Sequence, residues 1–136
     1  LARGDAARIL TPHPGELERL VPEVKNREAW AREAAGRFHA LVVLKGHHTI
    51  VTDGARTYVN KTGNPGMATG GSGDVLTGVI AALLGQKLEP YDAACLGVYI
   101  HGLAGDLAAR ELGEISMMAT DLLDYLPMAF KKGAKP

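Results

Sequence analysis

The sequence predicts a layered α/β domain, in which helices cover the faces of a β-sheet. The element order predicts this class, because short apolar runs rich in β-branched residues alternate with stretches of helical periodicity. The composition agrees: 46% of the residues are hydrophobic and only 5% are aromatic, so Ala, Val, Leu and Ile must build the core. With 136 residues, the chain has the length of one modest domain.

A strand and two helices are predicted first. Residues 7–13 (ARILTPH) predict a short buried strand centred on Ile9 and Leu10, which ends where two prolines remove backbone donors. Residues 15–21 (GELERLV) predict a helix whose acidic first turn suits the helix dipole. A second helix is predicted over residues 26–39, because apolar residues recur there every three or four positions.

Three strands are predicted next, and the last two form a hairpin. Residues 41–46 (LVVLKG) predict a buried strand of the parallel kind, because the run is continuously apolar. Residues 49–54 (TIVTDG) and 55–60 (ARTYVN) predict two strands joined at Asp53-Gly54, a dipeptide typical of hairpin turns.

Three more helices are predicted, over about residues 74–84, 91–110 and 121–130. The middle one is apolar nearly all round, so we expect it to be buried and to pack closely through its Gly and Ala residues. The final residues, 131–136 (KKGAKP), are predicted to be a disordered tail. Four strands offer these helices little sheet to cover, and the sequence begins without Met. We therefore expect residues 1–136 to be the C-terminal part of a single domain that is truncated at its N-terminus.

Charge, hydropathy and cysteine content exclude several function classes. Lys+Arg and Asp+Glu both number 15, and this balance argues against a nucleic-acid partner, which would require a basic excess. The longest apolar run, around residues 75–84, is shorter than the roughly 20 residues that span a membrane. The single Cys95 forms no internal disulfide, which fits a reducing compartment and predicts a cytoplasmic location.

A glycine-rich turn precedes the helix predicted at Asp74. Glycines at 70, 71 and 73 let successive backbone N–H groups converge, and a helix start adds free N–H groups and partial positive charge, so the segment predicts an anion site for phosphate. Asp74 at its mouth either caps the helix or acts as a base on a hydroxyl that attacks the phosphate. The spacing matches neither the dinucleotide fingerprint nor the P-loop.

Four segments carry a family resemblance: residues 10–16 (LTPHPGE), 43–51 (VLKGHHTIV), 64–84 (NPGMATGGSGDVLTGVIAALL) and 98–109 (VYIHGLAGDLAA). In order and spacing they resemble the ADP/ATP-dependent NAD(P)H-hydrate dehydratases of the ribokinase-like superfamily. The resemblance covers nearly the whole chain but only about the C-terminal half of the family's domain. It implies a ribokinase-like layered α/β/α sandwich with a mostly parallel sheet. It also implies a homo-oligomer, a tetramer in the family, and a missing N-terminal half of the domain.

The resemblance also implies roles for residues that match the family's motifs. Asp74 would be the catalytic residue and would also contact the substrate, as would His13. Glu16 would lie in the outer coordination sphere of Mg²⁺, with no direct protein ligand to the metal. The anion hole would consist of Gly71, Ser72 and Gly73, with Gly73 also touching the nucleotide. The nucleotide-binding segment would be Lys45, Gly46, His47, His48 and Thr49.

The residues themselves leave plainer alternatives open. Lys45 at a strand end is also consistent with a solvated lysine, and His13 with an exposed loop histidine. The His47-His48 pair lacks a further Cys or His at metal-ligand spacing. His101, inside the apolar helix, is expected to be a hydrogen-bonded core residue, and Asp106 a structural partner of neighbouring loops.

The resemblance implies repair of the S-form of hydrated NADH and NADPH, known as NADHX and NADPHX. ADP or ATP would donate a phosphoryl group with Mg²⁺ present, giving AMP or ADP, phosphate and restored NAD(P)H. One alternative is a ribokinase-like small-molecule kinase acting on a vitamin precursor or a sugar. Another is a non-catalytic nucleotide-binding fragment, against which the acid at position 74 argues.

Overall fold

One mixed sheet and the helices on its two faces make up the architecture of the computed structural model, which describes residues 6–22 and 24–133. The described strands are β1 (Ile9–Leu10), β2 (Leu41–Leu44), β3 (Ile50–Thr52) and β4 (Thr57–Val59). The described helices are α1 (Pro14–Leu20), α2 (Arg27–Phe38), α3 (Ser72–Gly85), α4 (Pro90–Leu112) and α5 (Ala119–Gly133), with a 3₁₀ turn over Pro65–Met67. No helix in these described ranges has the length and apolar character needed to cross a membrane.

The sheet has the order β1-β2-β3-β4, and only its first pair is parallel. Val43 pairs with Val51 and Val51 with Tyr58 in two antiparallel ladders. The expectation of a mostly parallel sheet is therefore wrong for the described strands. The physical reason is the short connections over residues 45–49 and 53–56, since a parallel pair needs a crossover of a dozen or more residues.

Strand β2 lies at the centre of the core, and all four of its residues are buried, as predicted. Val42 and Leu44 pack with residues of α1 and α2, such as Leu17 and Trp30. Leu41 and Val43 face the opposite way and pack with residues of α3 and α4. This alternation places helices on both faces of the sheet and confirms the layered α/β/α arrangement.

Strand β1 departs from its prediction, because Ile9 and Leu10 are only half-buried. Among the described strands β1 pairs only with β2, so one of its edges has no neighbour in the described sheet. An edge strand buries less of its side chains than a central strand, and this accounts for the difference.

Helix α4 is buried along much of its length, as its composition predicted. Its glycines allow close packing: a Cβ added at Gly97 would lie 2.7 Å from Cγ1 of Ile80 in α3. Helix α5 packs on α4, with Ala129 against Ile100 and Ala104, rather than on the sheet.

The end of α5 corrects the predicted tail. The helix continues through residues 131–133, which belong to the segment 131–136 expected to be disordered. Lys131 and Lys132 lie in the last turn, where the helix dipole favours cations. The remaining tail residues, 134–136, lie outside the described residues, as do residues 1–5.

Candidate functional site

A cavity of ≈ 710 Å³ opens beside the N-terminus of α3, within the size range of about 300–1,000 Å³ that is usual for ligand sites. Its wall brings together residues from all four of the predicted motif segments. Of the predicted site residues, those that line the cavity are His13, Lys45, Gly46, His47, His48, Thr49, Ser72 and Gly73. Gly71, Asp74 and Glu16 do not line the cavity.

Helix α3 begins at Ser72, two residues before the predicted start. Gly71 is its N-cap, with a left-handed φ of 92°, and no side chain caps the first turn. Such a helix start exposes backbone N–H groups and the positive end of the helix dipole. The geometry is therefore suited to an anion, as the glycines predicted.

Lys45 reaches this helix start from the end of β2. Its Nζ lies 3.0 Å from the position that a Cβ on Gly73 would occupy, and its side chain is half-buried. An ammonium and a helix N-terminus are both positive, so their juxtaposition is stabilised when an anion lies between them. This position does not fit the alternative of a freely solvated strand-end lysine.

Asp74 is the third residue of α3 and is exposed. It is not the N-cap, and its carboxylate accepts no hydrogen bond from the described residues. The capping alternative is therefore not realised, although the position in the first turn still suits the helix dipole.

His13 and Glu16 form a capping box at the start of α1. The Glu16 N–H donates to Nδ1 of His13 at 3.2 Å, and Oε2 of Glu16 accepts from the His13 N–H at 2.8 Å. The backbone hydrogen bond from His13 is the main cause that lowers the pKa of Glu16, with smaller contributions from the charges of His13, Lys45 and Arg19. The box thus fixes His13 at the cavity wall, a local role that the sequence interpretation missed.

Arg27 is a residue that the sequence interpretation missed. It is the first residue of α2, and its guanidinium donates to carbonyl oxygens of residues 44, 45, 47 and 48 at 2.5–3.5 Å. A cation at a helix N-terminus opposes the dipole, and this is the one sequence signal that could have drawn attention to it.

His101 lies in the cavity wall and is only 9% exposed. Its Nε2 is 2.9 Å from the Ser72 carbonyl oxygen, which can only accept, so Nε2 carries the proton. Burial is the main cause that lowers the pKa of His101; the hydrogen bond to Ser72 opposes this effect and the charge of Lys45 adds to it. The expectation of a hydrogen-bonded core histidine is confirmed.

Asp106 also has its expected structural role. It accepts hydrogen bonds from the Gly63 N–H and from Nδ2 of Asn64, each at 3.0 Å. These bonds hold the segment that leads into the glycine-rich turn.

The comparisons with known proteins agree on one family. The sequence model of the NAD(P)H-hydrate dehydratase family matches residues 1–128. The bifunctional NAD(P)H-hydrate repair enzyme Nnr of Moorella thermoacetica is 52% identical over 130 residues, covering 90% of this chain and 24% of that protein. The ADP-dependent (S)-NAD(P)H-hydrate dehydratase of Neisseria meningitidis is 47% identical over 119 residues, covering 83% of this chain and 40% of that protein.

Comparison with a solved structure identifies the fold. The ADP/ATP-dependent NAD(P)H-hydrate dehydratase from Bacillus subtilis, co-crystallized with ATP/Mg²⁺ and soaked with CoA, matches with a TM-score of 0.91 at 34% identity. The match covers 97% of this chain and 51% of that one, so the chain spans about half the length of the solved dehydratase. The architecture is thus the ribokinase-like α/β/α sandwich that the resemblance implied, and the chain belongs to the NAD(P)H-hydrate dehydratase family.

Proposed function

We propose that the chain supplies the nucleotide-binding and catalytic part of an enzyme that dehydrates the S-form of NADHX and NADPHX, with ADP or ATP as phosphoryl donor. The observation that carries the proposal is the placement of the Lys45 ammonium beside Gly73, at a helix N-terminus that no side chain caps, on the wall of a nucleotide-sized cavity. Membership of the family supports the choice of substrate.

The proposed reaction has two stages. The hydroxyl oxygen on C6 of the hydrated nicotinamide ring attacks the terminal phosphorus, so that a C–O–P linkage forms and the bond to the leaving ADP or AMP breaks. The C6–O bond then breaks, and phosphate leaves with the electron pair while the neighbouring carbon loses a proton. The sum is hydrate plus ATP or ADP giving NAD(P)H, phosphate and ADP or AMP.

Each proposed site residue has a task that follows from its position. Lys45 and the backbone N–H groups of Gly71 and Gly73 would hold the charge of the transferring phosphoryl group, which is the main requirement of phosphoryl transfer. The N–H of Ser72, the third residue of the predicted anion hole, already donates to the Thr69 carbonyl oxygen at 3.3 Å. Asp74, exposed at the edge of the same turn, would accept the proton of the attacking hydroxyl. His13, held by its capping box, would contact the substrate.

In the proposed reaction, Mg²⁺ would enter the site bound to the nucleotide phosphates. The described residues contain no group of three or more His, Cys, Asp or Glu side chains able to hold a metal, and Mg²⁺ is commonly bound by phosphates with one or two carboxylates. Glu16 would act on the ion through water, because its carboxylate is already engaged with His13. The bound ion would neutralise phosphate charge.

Product analysis tests the proposal in a complete dehydratase domain that contains this sequence, since the chain spans about half of the solved relative. Incubation of NADHX with ATP or ADP should restore the dihydronicotinamide absorbance and release one inorganic phosphate per turnover. Accumulation of a stable phosphorylated product, with no NADH formed, would instead indicate a small-molecule kinase. Binding of nucleotide with neither product would indicate a binding fragment.

We also propose a cytoplasmic location and a homo-oligomeric state, a tetramer as in the family. The single Cys95 supports the location, because it leaves the described fold independent of disulfides. Light scattering of the complete protein would measure the oligomeric state.

A further inference from the structure

Arg27 makes contacts that the proposed reaction does not use. Its Nη1 donates to the carbonyl oxygens of His47 at 2.5 Å and His48 at 3.5 Å. Its Nη2 lies 3.3 Å from the carbonyl oxygen of Lys45 and 3.5 Å from that of Leu44. Within the described ranges no carboxylate forms an ion pair with this guanidinium, so backbone carbonyls are its partners.

The loop of residues 45–49 is shaped around the guanidinium. Gly46 has a φ of 143°, and a Cβ at this position would lie 3.0 Å from Nη2 of Arg27. A side chain here would meet both a strained backbone and the guanidinium, so glycine is required for two physical reasons. Arg27 and the loop therefore form one structural unit.

The same contacts set the direction of the N–H groups of the loop. In a trans peptide unit the C=O and the following N–H point in opposite directions. The carbonyls of Lys45 and His47 point to Arg27, so the N–H groups of Gly46 and His48 point away from it. No hydrogen bond of these two N–H groups is found in the part of the chain that the structure describes. Both residues line the cavity, where free donors suit an anionic ligand.

We propose that Arg27 is a positioning residue for the nucleotide: its fork of donors holds residues 45–49 in the conformation that presents their N–H groups and the Lys45 side chain to the nucleotide. The inference rests on the proposed function. According to this inference, Arg27 affects nucleotide affinity although it does not line the cavity. It acts by holding the loop and does not touch the ligand.

The test compares Arg27→Met with Arg32→Met in a complete dehydratase domain that contains this sequence. Arg32 lies on the same helix, but its Nε donates to Oγ1 of Thr57 in β4 rather than to the loop, so it is a matched control. Loss of charge-assisted bonds to the loop should weaken ADP or ATP binding, measured by calorimetry, by about tenfold for Arg27→Met. The KM for nucleotide should rise while kcat at saturation changes little, and Arg32→Met should bind like the wild type.

Arg27→Lys is a second variant for the case in which Arg27→Met does not fold. It keeps the charge but lacks the fork, so its nucleotide affinity should also fall. Wild-type affinity in the Arg27 variants, or an equal loss in Arg27→Met and Arg32→Met, would overturn the inference. A wild-type protein that binds no adenine nucleotide would overturn the proposed function instead, and the two failures are thereby distinguished.

Discussion

At Asp74 the surroundings leave the carboxylate available for chemistry, because Gly71 is the N-cap and the side chain is exposed. We predict that Asp74→Asn keeps nucleotide affinity and loses most of the turnover in a complete dehydratase domain. General-base catalysis typically contributes about 10²–10⁴-fold, which sets the expected loss. Calorimetry measures the nucleotide affinity, and the NADHX assay measures the turnover. A wild-type rate in Asp74→Asn would show that Asp74 has no catalytic role.

Gly73 tests the anion site more cleanly than Gly71, whose φ of 92° makes any side chain strained. In Gly73→Ala, the added Cβ lies 3.0 Å from Nζ of Lys45 and displaces the flexible end of that side chain. We predict weaker nucleotide binding with an unchanged or raised thermal midpoint. Gly78→Ala on the same helix is the control, because its added Cβ would meet no other residue within 4 Å apart from its own stretch of helix.

Both alanines should stabilise α3 by up to about 1 kcal/mol through helix propensity. Only Gly73→Ala should lose nucleotide affinity. A fall in the thermal midpoint of Gly73→Ala with no change in affinity would show instead that this glycine serves packing.

His101 makes stability depend on pH. Burial lowers its pKa below the ordinary 6.5, so near that pH the unfolded chain binds a proton that the folded chain does not. Well above pH 6.5 the histidine is neutral in both states, so its titration does not change the free energy of unfolding. As the pH drops below 6.5, protonation of the unfolded chain favours unfolding, and stability falls. The charge of Lys45 acts in the same direction.

We predict that between about pH 7.5 and pH 5.5 the wild type loses more unfolding free energy than His101→Gln, whose amide keeps a donor for the Ser72 carbonyl without titrating. Urea unfolding at both pH values measures the difference. Equal losses in the two proteins would mean that His101 does not titrate differently on folding.

At the scale of elements, the sequence correctly predicted those features that depend on a single segment of the chain. The apolar run of β2, the Asp53-Gly54 hairpin and the apolar α4 are all found as predicted, because burial and turn conformation are properties of the segment itself. Strand direction was not such a property: it followed from the short connections around β3.

In the candidate site, too, features within one segment were predicted, whereas contacts between distant segments were not. The motif segments predicted which residues meet at the cavity, and most of them do. Arg27 contacts the loop of residues 45–49, and His101 contacts Ser72 at the start of α3, in both cases across many residues of sequence, and no local pattern encodes those contacts. The start of α3 was also placed too late, because its N-cap, Gly71, has no side chain of the kind that marks a helix start in a sequence.

At the scale of the whole molecule, the chain spans about half of the solved dehydratase that it matches. Within the described sheet β1 has one edge without a partner, and such edges invite pairing with other chains. Large apolar side chains are also exposed beyond α4, notably Ile115 and Met118. These features give the 136 residues, taken by themselves, several surfaces that favour association.

We therefore predict that the 136-residue chain studied by itself associates or stays partly unfolded, and that it does not restore NADH from NADHX with ADP or ATP. The reason is physical: an open strand edge and exposed apolar surface are stabilised by any partner that covers them. Size-exclusion chromatography beside the absorbance assay measures both properties. A monodisperse chain that restores NADH in a nucleotide-dependent way would contradict this prediction, and it would place the complete reaction within the residues from His13 to Asp74 and the helices that support them.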